Sequence, residues 1–385
     1  MNRLWEARVL LRSVSCSSVD TAGRETLHVF VDTQAPRDWD ALIRDMPGSN
    51  PFQTTAWARF QAAYMQAQPL FLSARDRSGA VEAALLALAT APRQTIWLDL
   101  AGGDYVASAL RWAVPKLTWV GGPLVRAEGQ TIEAAQRVVR AAWRWVRRHH
   151  GAGIFEVTLP FGSPIQGEAA AFQELRPVGA RHATLLVDLQ VDDVTAGFRS
   201  SARKALRRAA ELGVQIREVR DHSELYDYYA FARSSRAEMG LGTHSIRNLL
   251  LMWDCLHPAG ELALLLAEHG GRTIASLGVW CFGDVAVEFA ALQSRGAAEQ
   301  NLFGGDALKL EALRWAQCKG ARYFDLAGVS VEPANAKERG IRQFKEKWGG
   351  QLVSYESFTR PTGLYSRIGR ALHHLAASGA PARNH

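Results

Sequence analysis

Cysteine is scarce in this chain, which has four cysteines among its 385 residues. Cys16, Cys255, Cys281 and Cys318 lie far apart, and no two of them stand at the CxxC or similar spacing of a metal-binding motif. A zinc site or a disulfide framework would need paired or clustered cysteines. We therefore expect reduced thiols in a cytoplasmic protein, and no bound metal.

Long apolar runs are also missing. No segment approaches the roughly 20 apolar residues that a membrane-spanning helix needs, and the one short apolar run of the first 25 residues lies among Arg3, Arg8 and Arg12. A signal peptide is therefore not expected. We predict that residues 1–26 are either a poorly ordered lead or an overlong translation start, and both alternatives stay open.

Motifs for several common chemistries are absent as well. The chain contains no GxxxxGK[ST] phosphate loop, no GxSxG nucleophile elbow, and no HExxH or EF-hand pattern. His149 and His150 end a predicted helix, where cations complement the helix dipole, and His244 and His257 have no partner at ligand spacing. What remains suits a chemistry of positioned substrates and a cation that stabilises developing negative charge.

The composition is that of an ordinary globular protein with a basic balance. Apolar residues make up 48% of the chain and charged residues 22%, and 385 residues predict two domains. The formal charge of +7 and the pI near 9.4 favour an anionic partner. Such a partner would be a nucleic acid, a phosphate-bearing substrate or an anionic membrane surface.

Much of the positive charge is concentrated in one predicted helix, Phe198–Leu212. Its cations form two neighbouring stripes, Arg199, Arg203 and Arg207 beside Lys204 and Arg208. The opposite face is apolar, and only Glu211 offers an opposite charge within the helix. One interpretation is a solvated charged face. The other is a surface that binds phosphates, because an anionic ligand would offset the repulsion between like charges four residues apart.

The segment 321–350 predicts a short strand, a loop with one proline, and a helix stopped by two glycines. Ile341, Phe344 and Trp348 share one face of this helix, at spacings of three and four residues. Lys345 stands at the edge of that face. It is either a rim residue whose ammonium reaches solvent, or a cation held over a cleft, where a low dielectric strengthens its charge.

Two local similarities indicate that the chain repeats its plan. SGAVEAALLAL, from Ser78, resembles GGRTIASLGVW, from Gly270. GAGIFEV, from Gly151, resembles GARYFDL, from Gly320. Because a predicted hairpin, strand, helix and strand follow one another in both halves, we favour duplication over chance similarity. The expected fold class is α/β (α+β), with two similar domains of mixed sheets flanked by helices and a ligand cleft between them.

Four segments stand out in order along the chain: NPFQTTAW, the strand and turn WVGGP, SARKALRRAAELGVQI, and FDLAGV followed by GIRQFKEKWGG. Together they resemble the Fem (FemABX) family of aminoacyltransferases, which build peptidoglycan cross-bridges, and their acetyltransferase-like relatives. The resemblance spans roughly Leu27 to Arg360 and implies two tandem GNAT-like acyltransferase domains. It predicts a first domain over 27–190, a second over 191–360 that opens with the basic helix, and a basic tail over 361–385.

The resemblance also implies a reaction and a set of residues. The ester of an aminoacyl-tRNA would be attacked by the amine of a phosphate-bearing muropeptide precursor, with no cofactor beyond the donor itself. The family lysine that stabilises the oxyanion would be Lys345, beside Phe344. The residues assigned to substrate binding are Arg203, Arg207, Lys204, Arg208, Phe344, Trp57, Gly121 and Gly122.

Departures from the family pattern leave other substrates open. The long helical-hairpin insertion of some members is missing, and Arg59 and Gln61 follow Trp57 where members often carry a lysine. An acyl-CoA donor acting on a different amine is the alternative, although we identify no clear Q/RxxGxG/A pyrophosphate loop in either half. A third hypothesis is a basic module that binds nucleic acid or lipid. The expected location is cytoplasmic, with peripheral contact at the inner face of the membrane left open.

Overall fold

A computed structural model describes residues 16–19, 25–90, 116–126, 131–149, 154–159 and 178–361. The predicted basic tail lies outside the described residues from position 362 onward, and so does most of the predicted lead. In the described part of the chain, no helix has the length and apolar character needed to cross a membrane.

The strands are mostly apolar or alternating runs, as expected for strands packed on one or both faces. They are β1 (Cys16–Val19), β2 (Glu25–Asp32), β3 (Gln68–Arg75), β4 (Val81–Thr90), β5 (Lys116–Val120), β6 (Leu124–Val125), β7 (Ile154–Thr158), β8 (Val178–Asp188), β9 (Gln215–Glu218), β10 (Leu262–His269), β11 (Arg272–Phe282), β12 (Val285–Gln293), β13 (Tyr323–Val329) and β14 (Gln351–Pro361). β1 lies inside the segment that was predicted as a poorly ordered lead, and it pairs with β2.

The helices follow the apolar periodicity of the sequence, and short 3₁₀ turns at Pro51–Gln53 and Val194–Gly197 precede two of them. The α-helices are α1 (Trp39–Arg44), α2 (Thr55–Met65), α3 (Thr131–His149), α4 (Ser200–Glu211), α5 (His222–Glu238), α6 (Ile246–Leu256), α7 (Arg295–Glu299), α8 (Gly304–Cys318) and α9 (Ala336–Glu346).

The duplication predicted from the sequence is present in the order of the elements. The β3–β4 hairpin corresponds to the β10–β11 hairpin, and the unit β5–α3–β7 corresponds to β12–α8–β13. In both halves the strands of the second unit are parallel neighbours. The predicted α/β class with mixed sheets flanked by helices is therefore confirmed.

One continuous sheet runs through both halves. Its order is β1-β2-β3-β4-β5-β7-β14-β8-β13-β12-β11-β10-β9, and β6 pairs with β4 beside this path. The last strand of each half is exchanged: β14 pairs with β7 of the first half, and β8 pairs with β13 of the second. The exchanged strands also pair with each other.

The exchange extends to the two cores. Phe358 of β14 packs into the core of the first half, beneath α3. Leu185 and Val187 of β8 pack into the core of the second half, around α8. The predicted boundary between residues 190 and 191 falls just after β8. Because β8 and β14 each pack into the core of the other half, a cut at this position does not separate the two cores, and the domain bounds stay predictions.

Polar contacts, one of them fully buried, join the halves near the turn between β11 and β12. The Gly48 N–H donates to Asp284 Oδ2 at 3.0 Å, and the Asp284 N–H donates to Ser49 Oγ at 3.0 Å. Thr54 Oγ1 donates to Glu261 Oε2 at 2.9 Å, and burial raises the pKa of Glu261 to about 7. These bonds fix the first half against the strands that carry the candidate site.

Candidate functional site

A bulge in β13 organises the site. The pairing of β13 with β8 shifts register between Asp325 and Gly328, and Ala327 takes a left-handed conformation with φ +60°. The Ala327 N–H donates to Asp325 Oδ1 at 2.8 Å. Thr184 Oγ1, from β8, lies within hydrogen-bond reach of the same carboxylate oxygen and, at 2.9 Å, of the Ala327 carbonyl, and its single proton bonds one of them at a time. The exchanged strand thus supports the bulge from behind.

Lys345 meets the bulge from α9. Its Nζ donates to the carbonyl oxygens of Ala327 at 3.3 Å and Gly328 at 3.1 Å. Burial lowers the pKa of Lys345, and the Asp325 carboxylate opposes this shift. The ammonium therefore turns towards the bulge, and its catalytic role stays a prediction.

A cavity of about 560 Å³ opens beside this ammonium; we call it the lysine cavity. Its lining residues are Glu288, Phe289, Ala290, Ala291, Ala327, Gly340, Ile341, Phe344 and Lys345. Ile341 is 42% exposed and Phe344 40%, so these two residues form cavity wall, whereas Trp348 is fully buried. The apolar face predicted for α9 therefore has two parts. Ile341 and Phe344 line the cavity, and Trp348 packs in the core.

The end of α9 packs closely against the start of α4. Trp348 meets the ring of Phe198 edge-to-face, with centroids 5.1 Å apart. A Cβ added at Gly349, where φ is +79°, would come within 2.5 Å of the Gly197 carbonyl oxygen. Only glycine allows this approach, so the stop after α9 also sets the position of Lys345.

Two ion pairs lie behind the lysine cavity, and the sequence analysis missed both. Lys309 of α8 is 1% exposed and pairs with Glu288, while Lys347 pairs with Asp306. Burial lowers the pKa of Lys309 well below its usual value. The signal was a charged residue inside an apolar run, in VAVEFAAL and in ALKLEAL. These pairs place carboxylates and ammonium groups in the wall next to Lys345.

A second cavity, of about 220 Å³, lies between the halves; we call it the central cavity. Gly121 and Thr158 line it from the first half, and Asp325, Ala327 and Tyr355 line it from the second half and β14. Because Ala327 lines both the lysine cavity and the central cavity, the bulge is their common wall.

Two of the segments that carried the family resemblance interlock at the edge of the central cavity. Asn50 Nδ2 donates to the Gly121 carbonyl at 2.8 Å, and Gln53 Nε2 donates to the Val120 carbonyl at 2.8 Å. Gly121 has φ +65°, and a Cβ there would lie 2.7 Å from the Asn50 amide. Gly122 does not line the cavity, and its carbonyl accepts from Trp119 Nε1 at 2.9 Å. The NPFQ and GGP segments thus support each other's backbone.

The third cavity, of about 380 Å³, is aromatic. Trp57 lines it, 5.5 Å from the ring of Trp280, which stacks on Phe289 at 4.0 Å. Phe289 and Ala290 line this aromatic cavity as well as the lysine cavity. Trp57, predicted to bind substrate, therefore lies in a cavity that adjoins the lysine cavity.

The basic helix α4 has the two faces that the sequence predicts. Ala202, Ala205 and Ala209 are buried, and the helix packs against α8. Its four predicted phosphate-binding residues, Arg203, Lys204, Arg207 and Arg208, are all exposed. None of them lines any of the three cavities described. The structure therefore places them on a surface separate from Lys345, and their role stays a prediction.

The segment Gln293–Ala298, QSRGAA, does match the Q/RxxGxG/A pattern that we did not identify from the sequence. It begins at the last residue of β12 and runs into α7. Ser294 Oγ accepts from the Ala297 N–H at 3.3 Å, and Glu238 Oε2 accepts from the Arg295 N–H at 3.0 Å. Two of the N–H groups that a pyrophosphate would need are thus already bonded.

No cluster of three or more metal-ligating side chains occurs among the residues that the structure describes. The described site instead combines a held ammonium, buried carboxylates and adjoining cavities. Such an arrangement can bind two substrates and stabilise negative charge as it develops on one of them.

Comparison with known proteins places this geometry in context. The family model Acetyltransf_6, the acetyltransferase (GNAT) domain, matches residues 196–346. The solved structure of FemX has a TM-score of 0.68 at 12% identity, covering 89% of this chain and 99% of its own. L-PGS from Bacillus licheniformis has a TM-score of 0.54 at 12% identity, covering 89% and 98%. No curated protein sequence matches significantly.

A tandem GNAT protein from the clavulanic acid biosynthesis pathway has a TM-score of 0.53 at 13% identity, covering 87% of this chain and 99% of its own. At these identities the likeness concerns the fold. Residues 196–346 therefore match the acetyltransferase (GNAT) domain, and the overall fold of the chain is similar to those of FemX and of a tandem GNAT protein.

Proposed function

We propose that this protein forms an amide bond by transferring an aminoacyl group from aminoacyl-tRNA to the amine of a peptidoglycan precursor. The acyltransferase class rests on the GNAT domain over residues 196–346. The finer proposal is supported by the tandem fold shared with FemX and by the segments that resemble the Fem family. Lys345 is the residue on which the chemistry depends.

The observation that carries the proposal is the state of the Lys345 ammonium. A lysine ammonium has three N–H donors, and two of them are bonded to the carbonyls of Ala327 and Gly328. The third has no partner among the described residues, and Lys345 lines the lysine cavity. A cation held in this way is preorganised, so it needs little rearrangement to donate a hydrogen bond to a developing oxyanion.

The Lys345 ammonium would act at the step that forms the tetrahedral intermediate. When an amine attacks the ester carbonyl, negative charge moves onto the carbonyl oxygen. A hydrogen bond from Lys345 would stabilise that oxygen more than it stabilises the neutral carbonyl, which is the condition for lowering a barrier. The Asp306–Lys347 and Glu288–Lys309 pairs behind the cavity keep the neighbouring charges balanced.

An amide-formation assay tests the proposal. Alanyl-, glycyl- and seryl-tRNA and acetyl-coenzyme A would each be incubated with a UDP-linked muropeptide precursor and with simple alkylamines, and the amide product would be measured by mass spectrometry. We expect product from an aminoacyl-tRNA and the precursor. Absence of amide in every tRNA-containing reaction, with the protein folded, would contradict the proposed donor.

An acyl-CoA donor is the second candidate. The match to an acetyltransferase family model and the QSRGAA segment after β12 favour it. The hydrogen bonds from the Arg295 and Ala297 N–H groups to Glu238 and Ser294 weigh against it. Saturable binding of acetyl-coenzyme A, together with no binding of charged tRNA, would decide for this candidate.

A further inference from the structure

We propose that Asp325 binds the ammonium of the acceptor amine in the central cavity, and that this carboxylate removes the proton from the attacking nitrogen. This inference rests on the proposed amide-forming function. It adds a second catalytic residue and the place where the acceptor binds.

The carboxylate of Asp325 is held on one side only. Oδ1 is hydrogen-bonded to Thr184 Oγ1 and to the Ala327 N–H, whereas Oδ2 has no hydrogen-bond partner among the described residues. Asp325 lines the central cavity, together with Tyr355. A carboxylate oxygen that is fixed in position and has no hydrogen-bond partner suits the N–H of an incoming ammonium.

The rest of the central cavity suits the stem of such an amine. Val120 and Leu159 of the first half and Val285 and Val287 of the second half line it with apolar side chains. Its volume of about 220 Å³ is below the roughly 300–1,000 Å³ of ordinary ligand sites. The cavity therefore favours an alkyl chain that ends in an ammonium over a whole nucleotide or sugar.

The bulge at Ala327 places the two charged groups on either side of one residue. The Ala327 N–H holds Asp325, and its carbonyl accepts from Lys345. No ion pair joins these two side chains within the described residues, so the carboxylate is available to one substrate and the ammonium to the other. Burial also raises the pKa of Asp325, which makes it a better proton acceptor than an ordinary aspartate.

The transfer proceeds in two stages, addition of the amine and loss of the donor group. Oδ2 of Asp325 takes one proton from R–NH₃⁺, and the freed lone pair forms the C–N bond at the donor carbonyl. The carbonyl π electrons move to the oxygen that faces Lys345. When the carbonyl re-forms, the bond to the donor oxygen or sulfur breaks, and that atom takes the second proton from nitrogen. The proton on Asp325 then passes to solvent.

Comparison of two acceptors tests the inference. Propylamine is protonated at neutral pH and needs a base, whereas hydroxylamine is uncharged there and does not. With whichever of alanyl-tRNA or acetyl-coenzyme A supports transfer, Asp325→Asn should lower kcat/KM for propylamine by about 100-fold or more. Transfer to hydroxylamine should change by less than about threefold. Asp188→Asn, on the neighbouring strand β8, is the matched control and should leave both unchanged.

The outcomes separate the inference about Asp325 from the proposed amide-forming function. If Asp325→Asn uses propylamine like the wild type, or loses both acceptors equally while remaining folded, the inference is overturned but the proposed function is not. If the wild type forms amide with the muropeptide precursor but with neither small amine, the inference is overturned and the proposed function stands. If it forms no amide with the precursor either, the proposed function fails, and this inference fails with it.

A second variant keeps the inference testable if Asp325→Asn does not fold. Thr158→Leu narrows the central cavity from the opposite wall without altering Asp325. It should raise KM for propylamine at least severalfold and leave hydroxylamine transfer near the wild-type value. An unchanged KM for propylamine would place the acceptor outside this cavity.

Discussion

At the scale of single residues, the candidate site depends on one unusual backbone position. Ala327 has φ +60°, a conformation that costs a non-glycine residue on the order of 1 kcal/mol. Its N–H and carbonyl are both used, by Asp325 and by Lys345 and Thr184. These bonds offset the strain, so the bulge and the charged groups stabilise each other.

The first prediction at this scale concerns pH. Lys345 stabilises an oxyanion only when protonated, and burial lowers the pKa at which it loses its proton. Turnover should therefore fall as pH rises through this lowered pKa, at a lower pH than an ordinary lysine would give. A kcat–pH profile checks this. Lys345→Arg should move the loss to higher pH if it retains activity, and an unchanged alkaline limb in that variant would contradict the assignment.

The second prediction concerns the buried pair behind the cavity. Lys309→Met leaves Glu288 buried without its partner, which should lower the free energy of unfolding by about 3–5 kcal/mol. Urea denaturation measures this change. Arg314→Met is the control, since it removes an exposed cation from the same helix and should change stability by less than about 0.5 kcal/mol. Equal effects of the two substitutions would show that the Lys309–Glu288 pair has no structural role.

At the scale of elements, α4 and α9 form one unit. The Arg199 N–H donates to the Lys347 carbonyl at 2.9 Å, and the Arg199 side chain pairs with Glu346 at 3.1 Å. With Trp348 against Phe198, these contacts join the start of the basic helix to the end of the helix that carries Lys345. A ligand that binds the basic face of α4 would therefore contact a helix that is joined to α9, the helix that carries Lys345.

The prediction for α4 separates its two interpretations. If the basic face binds the phosphates of the acceptor, Arg203→Ala with Arg207→Ala should raise the acceptor KM about tenfold and weaken its salt dependence, because two charge contacts are lost. Stability should stay constant, since both side chains are exposed. Arg147→Ala with Arg148→Ala removes two exposed charges from α3 as the control. A KM equal to that of the wild type would favour a solvated face.

At the scale of the whole molecule, the two halves form a single unit. The exchange of β8 and β14 gives each core a strand from the other half. The hydrogen bond between Thr54 and Glu261 adds a buried contact across the junction. Unfolding of one half should therefore expose the core of the other, and a single cooperative transition is expected.

The pH dependence of stability follows from Glu261. Burial raises its pKa in the folded chain from 4.5 to about 7, so the folded state holds a proton that the unfolded state releases. Stability from this group is complete below the unfolded pKa and is lost as pH rises through about 7, by up to about 3 kcal/mol. Glu261→Gln should flatten the curve measured by urea denaturation. Glu332→Gln, at an exposed position, is the control, and an equally steep curve in Glu261→Gln would contradict the assignment.

Local sequence patterns were enough to predict the helices that carry Lys345 and the basic face, because those faces depend on spacings of three and four residues. The duplication was predicted from two local sequence similarities and from the repeated order of elements. The exchange of β8 and β14 could not be predicted, since it depends on pairing between distant strands that have equivalent patterns. The bulge was missed because alanine gives no sign of a left-handed conformation, and Asp325 was therefore left without a role.

The central claim is that the Lys345 ammonium stabilises the oxyanion of amide formation. The most direct test is the turnover of Lys345→Ala, in the assay with the donor and acceptor that the wild type uses. The variant should remain folded, as its urea unfolding curve checks, and lose turnover by a factor on the order of 10²–10³, while Arg339→Ala, an exposed charge on the same helix, should retain turnover. Near-wild-type turnover in Lys345→Ala would contradict the account.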